Sequence, residues 1–537
     1  MKNTEDTNKK CQQNQDDGNT KKESMTERIK KFLDKFLEVT CLFIGRNTDK
    51  AYIIWMDDDG ICRTVVVDSP AFRARLRSLL EKNIANTLYS DTLLNNAVSY
   101  VKHKALESGI KKEVVTRAAY EDSVIYYNLD DCYQSIIAVE RDKLRRCYMD
   151  NLLDKNFAFY STPSMEAQQE PFISESDSDL MELLKPYINL PEKEQRLLVI
   201  TLITWFICDI PRPVIMLQGG QGSGKTTLTT IIQKIVDPCN HEAFVMPKNK
   251  EELIIALANN YLLAIDNASA LPKDASDLLC SAVTGASVIK RALYTNNEAS
   301  VVSFKNCILL NGIDVGNIKP DFYDRTVKFE MQELKGSYRL SSELFNDFEE
   351  KLPQIMGAIF SILMEAIGIY DSVETSGDYR MADYVHWGQA ISKVMFGSDE
   401  VFLKAYEDNR SELSESVLEG NPVAAVLSEY LENIETFPII ITPAHLLAEL
   451  KEVANKGRYE FRVRKSNNNN SYLSYAVDSP TWPKTPNSLS KMLKKLKENF
   501  VREGYDISVG KVKTNGRRYI VIEKIVDSNQ NQPAGDQ

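Results

Sequence analysis

Gly219-Gly220-Gln221-Gly222-Ser223-Gly224-Lys225-Thr226 places four glycines, a lysine and two hydroxyls within eight residues. The run fits G-x-x-x-x-G-K-[ST], in which glycines let backbone N–H groups close around phosphate oxygens. Val214 to Leu217 before it reads as an apolar strand, and Thr227 to Val236 after it as a helix. The N-terminus of such a helix favours an anion. In that setting Lys225 neutralises the β- and γ-phosphates of ATP, and the Thr226 hydroxyl reaches Mg²⁺. Gly219 to Thr227 is therefore the candidate ATP-binding stretch, and ATP hydrolysis the predicted chemistry.

Three further positions fit that chemistry. Tyr261-Leu262-Leu263-Ala264-Ile265 reads as an apolar strand ending in Asp266-Asn267. A carboxylate at such a strand end can hold the Mg²⁺ shell, so Asp266 and Thr226 are the candidate metal-side residues. Asn267 stands where many ATPases have Glu. It can orient a water but cannot take its proton, so either catalysis is slow or another carboxylate is the base. Asn306 to Leu310 reads as a strand ending in Asn311-Gly312. Asn311 could sense the γ-phosphate and position water, or simply form a turn. Lys319-Pro320-Asp321-Phe322-Tyr323-Asp324-Arg325 precedes a strand-like run, Thr326 to Glu330. Arg325 there could reach a neighbouring subunit's γ-phosphate as an arginine finger, or only pair with Asp324 at the surface.

A helical stretch around Glu192 to Cys208 leads into a short apolar strand, Pro213 to Gln218, and strands and helices alternate from there to about 332, which predicts a parallel sheet. Residues 1–25 are polar and predicted to be disordered. Residues 26–160 read as an α+β domain, and 161–180, rich in Pro, Ser and acid, as a linker. The motor core is assigned to 181–335, a helical lid or connector to 336–415 and a C-terminal domain to 416–525. Residues 526–537 form a second disordered tail.

At 537 residues, 26% charged and 43% hydrophobic, the composition is that of a soluble globular chain of several domains. Nine cysteines without a C-x-x-C pair and four scattered histidines suggest neither a disulfide framework nor a zinc site. No secretory signal is visible, and the Leu197 to Cys208 apolar run is too short to span a bilayer. A cytoplasmic protein without membrane contact is expected.

The net charge of −11 is unevenly spread. Lys484 to Lys524 holds 11 Lys/Arg against 4 Asp/Glu, a local +7 that leaves −18 for the remainder. Thr485-Pro486 can cap a helix carrying Leu489, Met492, Leu493 and Leu496 on one face. Lys491, Lys494, Lys495 and Lys497 occupy the others. Tyr505 to Val512 and Arg517 to Glu523 then read as a β-hairpin around Thr514-Asn515-Gly516. A basic helix followed by a hairpin is the pattern of a winged helix, with Lys513, Arg517 and Arg518 on or beside the wing. Such a module binds DNA or another protein.

The four elements of the nucleotide region, in this order, resemble the AAA+ ATPases, specifically the superfamily 3 and minichromosome-maintenance-like helicases. The strings GGQGSGKTT, LLAIDNAS, TGASVIKRALYTNNEASVVSFKNCILLNGID and PDFYDR are similar to helicase or primase-helicase proteins of phages, plasmids and integrative elements, those of staphylococcal cassette elements included. VVTRAAYEDSVIYYNLDD resembles the domain that precedes the motor in these proteins. The Asp266-Asn267 pair looks like the family pattern. The resemblance implies an α/β P-loop AAA+ motor domain, with the N-terminal α+β domain before it and the winged helix after it. It implies a ring, commonly a hexamer, with ATP between subunits, Lys225, Asp266 and Asn311 acting in cis and Arg325 in trans. Arg380 would be a second nucleotide-sensing arginine. Residues 290–305 would form a hairpin in the central pore, flanking strands 291–295 and 300–304, with Lys290, Arg291 and Lys305 supplying charge toward DNA; its tip, Asn296-Asn297-Glu298, carries no lysine. The function implied is a replicative DNA helicase of a mobile element acting on single-stranded or forked DNA. A non-helicase AAA+ regulatory or defence ATPase, whose winged helix binds a protein, is the alternative.

Overall fold

The computed structural model describes residues 24–84, 89–173, 179–267, 271–291, 299–312, 320–334, 339–375, 377–419, 421–457, 460–464, 471–478, 482–511 and 518–525. Both predicted tails, apart from residues 24 and 25, lie outside these. So do the 292–298 hairpin tip with its Asn296-Asn297-Glu298 turn, and the 512–517 turn with Lys513 and Arg517. Two compact units divide the chain. One holds residues up to Gly45 with Lys50–Lys111, and the other holds Arg46–Asp49 with everything from Lys112 onward.

The first unit starts with α1 (Met25–Leu37). The Ser24 hydroxyl accepts the Glu27 N–H at 3.2 Å, and the Glu27 carboxylate accepts the Ser24 N–H at 2.9 Å. This reciprocal cap starts the helix at residue 25, inside the stretch expected to be disordered. Strands β1 (Cys41–Gly45), β2 (Ala51–Met56) and β3 (Cys62–Val66) pair antiparallel with β2 between the other two. Helices α2 (Pro70–Asn83) and α3 (Asp91–Glu107) supply Phe72, Leu76, Val98 and Val101 to a core shared with Leu33 and Trp55.

In the second unit β4 (Lys111–Val115) precedes an antiparallel meander of β5 (Ala118–Glu121), β6 (Val124–Asn128), β7 (Ile136–Glu140) and β8 (Lys143–Cys147). Strand β9 (Phe157–Phe159) then pairs with β4 in parallel. The boundary between units thus falls at 111/112, not at 160. The reason is burial: Ala118, Ile125, Tyr127, Leu129 and Val139 share one core with the helices that follow. The supposed linker is also tied down before residue 174. Gln168 donates to the Tyr127 hydroxyl and to the carbonyls of Lys234 and Ile235.

Next come α4 (Leu180–Leu184) and α5 (Glu192–Thr204), in which every residue from Leu197 to Thr204 is buried. The central sheet is built from β10 (Val214–Gly219), α6 (Lys225–Val236), β11 (Phe244–Val245), α7 (Lys250–Asn259), β12 (Leu262–Asp266), α8 (Lys273–Thr284) and a hairpin. That hairpin is β13 (Ala286–Arg291) against β14 (Ala299–Phe304), and β15 (Cys307–Asn311), α9 (Pro320–Tyr323) and β16 (Thr326–Met331) follow it. Five strands run parallel in the order β11-β12-β15-β10-β16. Leu262 to Ile265 of β12, all of β15 and Val214 to Leu217 of β10 are buried on both faces, as a helix-covered parallel sheet requires, while the edge strand β11 leaves Val245 exposed. The fold class of this region is mixed α/β with a parallel sheet. The hairpin begins at Ala286, five residues earlier than Arg291, because Gly285 ends α8 at φ +95°.

The long helix α10 (Ser341–Ile369) is followed by α11 (Ala382–Phe396) and α12 (Glu400–Glu419). Together with its following turn, α10 is long and apolar enough to cross a membrane by length and composition. Phe348, Ile355, Ile359 and Leu363 on it are buried in the shared core. The C-terminal stretch contains α13 (Pro422–Glu432), β17 (Ile439–Ile441), α14 (Pro443–Gly457), a hairpin of β18 (Glu460–Arg464) and β19 (Ser471–Tyr475), and α15 (Pro486–Arg502). Strands β20 (Tyr505–Lys511) and β21 (Arg518–Lys524) close it in an antiparallel sheet ordered β17-β21-β20.

Candidate nucleotide site

The loop between β10 and α6 has a shape that its glycines make available. Gly219 sits at φ +140°, and a Cβ there would come within 2.6 Å of the Met331 carbonyl oxygen. Gly224, at φ +88°, turns the chain into α6 in a left-handed conformation that residues with side chains rarely adopt. The Ser223 hydroxyl donates to the Gly220 carbonyl at 2.9 Å inside the loop. Gln221 and Gly222 are exposed at its outer turn. Lys225 curls back over the loop, donating to the carbonyls of Gly219 at 2.9 Å and Gly220 at 2.7 Å and to the Ser223 hydroxyl at 3.2 Å. Its ammonium therefore lies over the loop that surrounds it in sequence, beside the start of α6. Thr227 follows, half-buried in the first turn of that helix.

The Thr226 hydroxyl donates to the Asp266 carboxylate at 3.1 Å. Two oxygens forty residues apart in sequence are thus brought together by the pairing of β12, β15 and β10. The other carboxylate oxygen accepts the Asn267 N–H at 2.7 Å. Asn267 has φ +52°, in the left-handed region that Asn tolerates better than Glu. Asn311 ends β15, one strand over from Asp266, and pairs in register with Leu217. Its side chain is buried, and among the described residues neither its amide nitrogen nor its oxygen has a hydrogen-bond partner. A buried amide left this way costs free energy unless something else meets it. These features fit an Mg²⁺–nucleotide: a cradle that a Cβ would fill, a lysine over it, a hydroxyl–carboxylate pair for the metal, and an unmet amide beside them.

Arg325 is placed elsewhere. Strand β16 pairs with β10 from Val214↔Thr326 to Gly219↔Met331. Arg325 precedes the first pair, and its carbonyl accepts the Val214 N–H at 2.8 Å. The loop follows the last. Five residue steps of about 3.3 Å put roughly 17 Å of strand between them. Arg325 instead pairs with Asp321, whose backbone carbonyl it also meets at 3.2 Å. Partial burial works to raise the Asp321 carboxyl, but the Arg325 hydrogen bond, with the charges of Arg325 and Arg380, outweighs it and holds the group below its usual range. Cys280 lies close by, its thiol pushed up to about 11 mainly by burial.

Arg380, expected at the nucleotide, joins this far end. It pairs with Asp321 and, at 3.4 Å, with Asp324. A third arginine joins them without any local signal in its sequence: Arg502, at the end of α15, pairs with Asp324 at 2.9 Å.

The predicted nucleic-acid residues are more dispersed. Lys290 and Arg291 lie on β13 opposite Ser300 and Ala299, just before the tip. Lys305 is at the hairpin's base rather than its reach. Its ammonium donates to the Asp209 carbonyl at 2.6 Å, and burial, aided by the charge of Arg212, pushes it below the usual lysine range. Arg212 is itself fully buried, bonded to the Tyr261 hydroxyl and the Lys305 carbonyl, and fixes that base from beneath. Lys491, Lys494 and Lys495 are exposed on α15, while Leu489, Leu493 and Leu496 are buried. Arg518, the first residue of β21, donates to Asn487 at 2.7 Å.

A second buried ion pair escaped the sequence entirely. Arg117, fully buried before β5, donates to Asp237 at 2.8 Å and to the Pro238 carbonyl at 2.6 Å. Asp237 caps α6 and accepts the N–H groups of Tyr261 and Leu262 at 3.0 and 3.1 Å. The meander thereby grips the far end of the helix whose first turn carries Lys225 and Thr226.

Residues 181–412 match a family model described as "Actinomycete integrative conjugative element replication protein", and residues 423–533 match one described as "AICE RepA C-terminal domain". These matches support a mobile-element replication protein. The first stretch begins at α4 and ends within α12, and the second begins with α13, so both the nucleotide loop and the α15 region fall inside matched sequence. No curated protein matches the chain. Among solved structures, "The apo structure of NrS-1 C terminal region (305-718)" is similar at 12% identity and a TM-score of 0.37, over 93% of this chain and 98% of that one. "The A form apo structure of NrS-1 C terminal region-CTR" is similar at 13% identity and 0.39, over 93% and 99%. Likeness at these scores carries no argument about the site.

Proposed function

We propose that this chain is an ATP-driven DNA motor, a ring-forming AAA+ replicative helicase of a mobile element whose ATP sites lie between subunits. The Thr226–Asp266 contact carries the reading, since it joins a phosphate-loop hydroxyl to a strand-end carboxylate at the first turn of α6. Mg²⁺, when bound, neutralises charge across the β- and γ-phosphates. Thr226 and Asp266 would hold it. Lys225 would exchange its bonds to the Gly219 and Gly220 carbonyls for phosphate oxygens. Asn311 would meet its unsatisfied amide with the γ-phosphate or the attacking water. Asn267 would orient water without taking its proton, which leaves the base to another carboxylate or the rate low. A nucleotide at the carboxyl ends of parallel strands agrees with where such sheets bind ligands.

The roughly 17 Å of strand between Arg325 and its own loop supports a role in trans. A ring, most simply a hexamer, would bring Arg325 to the neighbour's phosphates. The match to a replication protein supports DNA as the partner. The β17-β21-β20 sheet, whose strands β20 and β21 follow α15, supports a winged helix, with Lys491, Lys494 and Lys495 exposed for contact with phosphate.

The test combines ATPase assays with strand displacement on forked DNA bearing 3′ or 5′ tails. The account expects DNA-stimulated hydrolysis and displacement from one polarity, both lost in Lys225→Ala. Hydrolysis indifferent to any DNA would overturn the helicase reading in favour of a regulatory ATPase. No hydrolysis by the wild-type chain would overturn both.

A further inference from the structure

Five charged side chains alternate in sign at the Arg325 end of the sheet: Arg325, Asp321, Arg380, Asp324 and Arg502. They come from three distant stretches, and only Arg502 belongs to the C-terminal region. Asp324 and Arg502 are mostly buried, with side chains 12% and 23% exposed. A pair so placed is screened less than one at the surface. Arg502 is also the last residue of α15, where a helix favours a cation.

Two neutral contacts run beside this chain of charges. Asn499, buried one turn before Arg502, donates to Ser414 of α12 at 3.0 Å. Asn409, on the same α12, accepts from the Lys328 N–H at 3.2 Å and donates to the Lys328 carbonyl at 2.6 Å. The end of α15 is therefore fixed to β16 through α12 as well as to Asp324, the neighbour of Arg325. Toward its middle and first half α15 exposes Lys491, Lys494 and Lys495.

We propose that Arg502 is a positioning residue that couples the C-terminal region to Arg325, setting how Arg325 is presented to the next subunit's ATP. The inference rests on the reading of Arg325 as a trans-acting group. Arg380 divides itself between Asp321 and Asp324. While Arg502 satisfies Asp324, Arg380 can stay on Asp321 and share it with Arg325. Without Arg502, the mostly buried Asp324 keeps Arg380 as its charged partner among the described residues. Arg380 is then drawn from Asp321, and the Arg325 fork loses its arrangement. A shift of α15 on DNA would act through the same contacts.

The test uses the full chain with Arg502→Ala, Arg502→Lys and Asp324→Asn. Arg502→Ala should lower kcat about tenfold while leaving ATP and DNA affinity within twofold, and should lose DNA stimulation. Arg502→Lys should recover part of the rate, since lysine keeps the charge but not the fork. Asp324→Asn should reproduce the loss if Arg502→Ala folds poorly.

The deciding readout is complementation. Arg502→Ala subunits keep an intact loop, and Lys225→Ala subunits keep an intact arginine end. Mixed rings should therefore regain activity above the sum of the two alone. A parallel mixture of Arg325→Ala with Lys225→Ala tests the underlying trans reading. Recovery there but not with Arg502→Ala, or an unchanged kcat in Arg502→Ala, overturns the inference alone. Recovery in neither mixture overturns the trans reading and the inference with it.

Discussion

Strand β10 has a different construction at each of its ends. At its C-terminal end, nearly everything comes from eight consecutive residues, and among the described residues long-range folding adds Asp266 with Asn267, and Asn311. The groups there are held by bonds they can exchange: Lys225 on its own loop carbonyls, Asn311 on nothing among the described residues. At the N-terminal end, Arg325 is held by a chain of opposite charges drawn from residues 321 to 502. A site built to take up a ligand leaves its polar groups easily freed. Under the proposed trans role, an arginine presented to a neighbour keeps its charge fixed until the neighbour competes for it.

The largest expected effect lies at the second end. On the proposed trans role, Arg325→Ala should reduce the DNA-stimulated kcat by about 10³-fold, the scale of losing an arginine finger, with ATP affinity within a few-fold. Steady-state kinetics with equilibrium nucleotide binding checks both. A loss of affinity equal to the loss of rate would erase the distinction between the ends.

Lys225→Ala should cost about 10²-fold or more in rate, the scale of losing one preorganised charge, and should weaken ATP binding too. Calorimetric titration with a nonhydrolysable ATP analogue checks the second part.

The control lies where α6 leaves the site. Arg117→Ala strands Asp237 as an unpaired buried charge and should destabilise the second unit by about 3–5 kcal/mol. Denaturant unfolding measures this. An effect confined to ATPase rate, with no change in stability, would contradict the structural role assigned to the pair.

Gly219→Ala forces a Cβ against the Met331 carbonyl at an unfavourable φ. It should weaken ATP binding about tenfold, the scale of 1–3 kcal/mol of local strain.

The smallest effect concerns pH. The Asp321 carboxyl is lowered in the folded state, so its stabilising contribution is fully present above the ordinary Asp value of about 3.9. It is lost as pH falls through the lowered folded value. The stability difference between wild type and Asp321→Asn should therefore be flat from about pH 5 to 8 and shrink only in stronger acid. A difference that changed near neutrality would contradict this.

The two ends also differ in how far the sequence revealed them. Gly219 to Thr226 is legible because its chemistry is contiguous. Asp266 and Asn311 are legible because each follows an apolar run. Arg325 draws notice through the PDFYDR string, but nothing near Arg502 in sequence points to Asp324, 178 residues away. Likewise, nothing near Arg380 in sequence points to its pairing with Asp321 and Asp324 rather than with the nucleotide loop. The 160/161 boundary failed because a polar composition conceals the long-range bonds of Gln168, and because Arg117 and Asp237 signal nothing singly. The hairpin start was misplaced because Ala286 and Ser287 carry weak strand preference.

The measurement closest to the central claim mixes Lys225→Ala and Arg325→Ala subunits. Each alone should be nearly inactive, one for want of a phosphate loop and the other for want of the arginine offered to its neighbour. Mixed rings should contain junctions with an intact loop facing an intact Arg325, and ATPase activity should return in proportion to them. No recovery in rings verified to contain both subunits would contradict an ATP site divided between the two ends of β10.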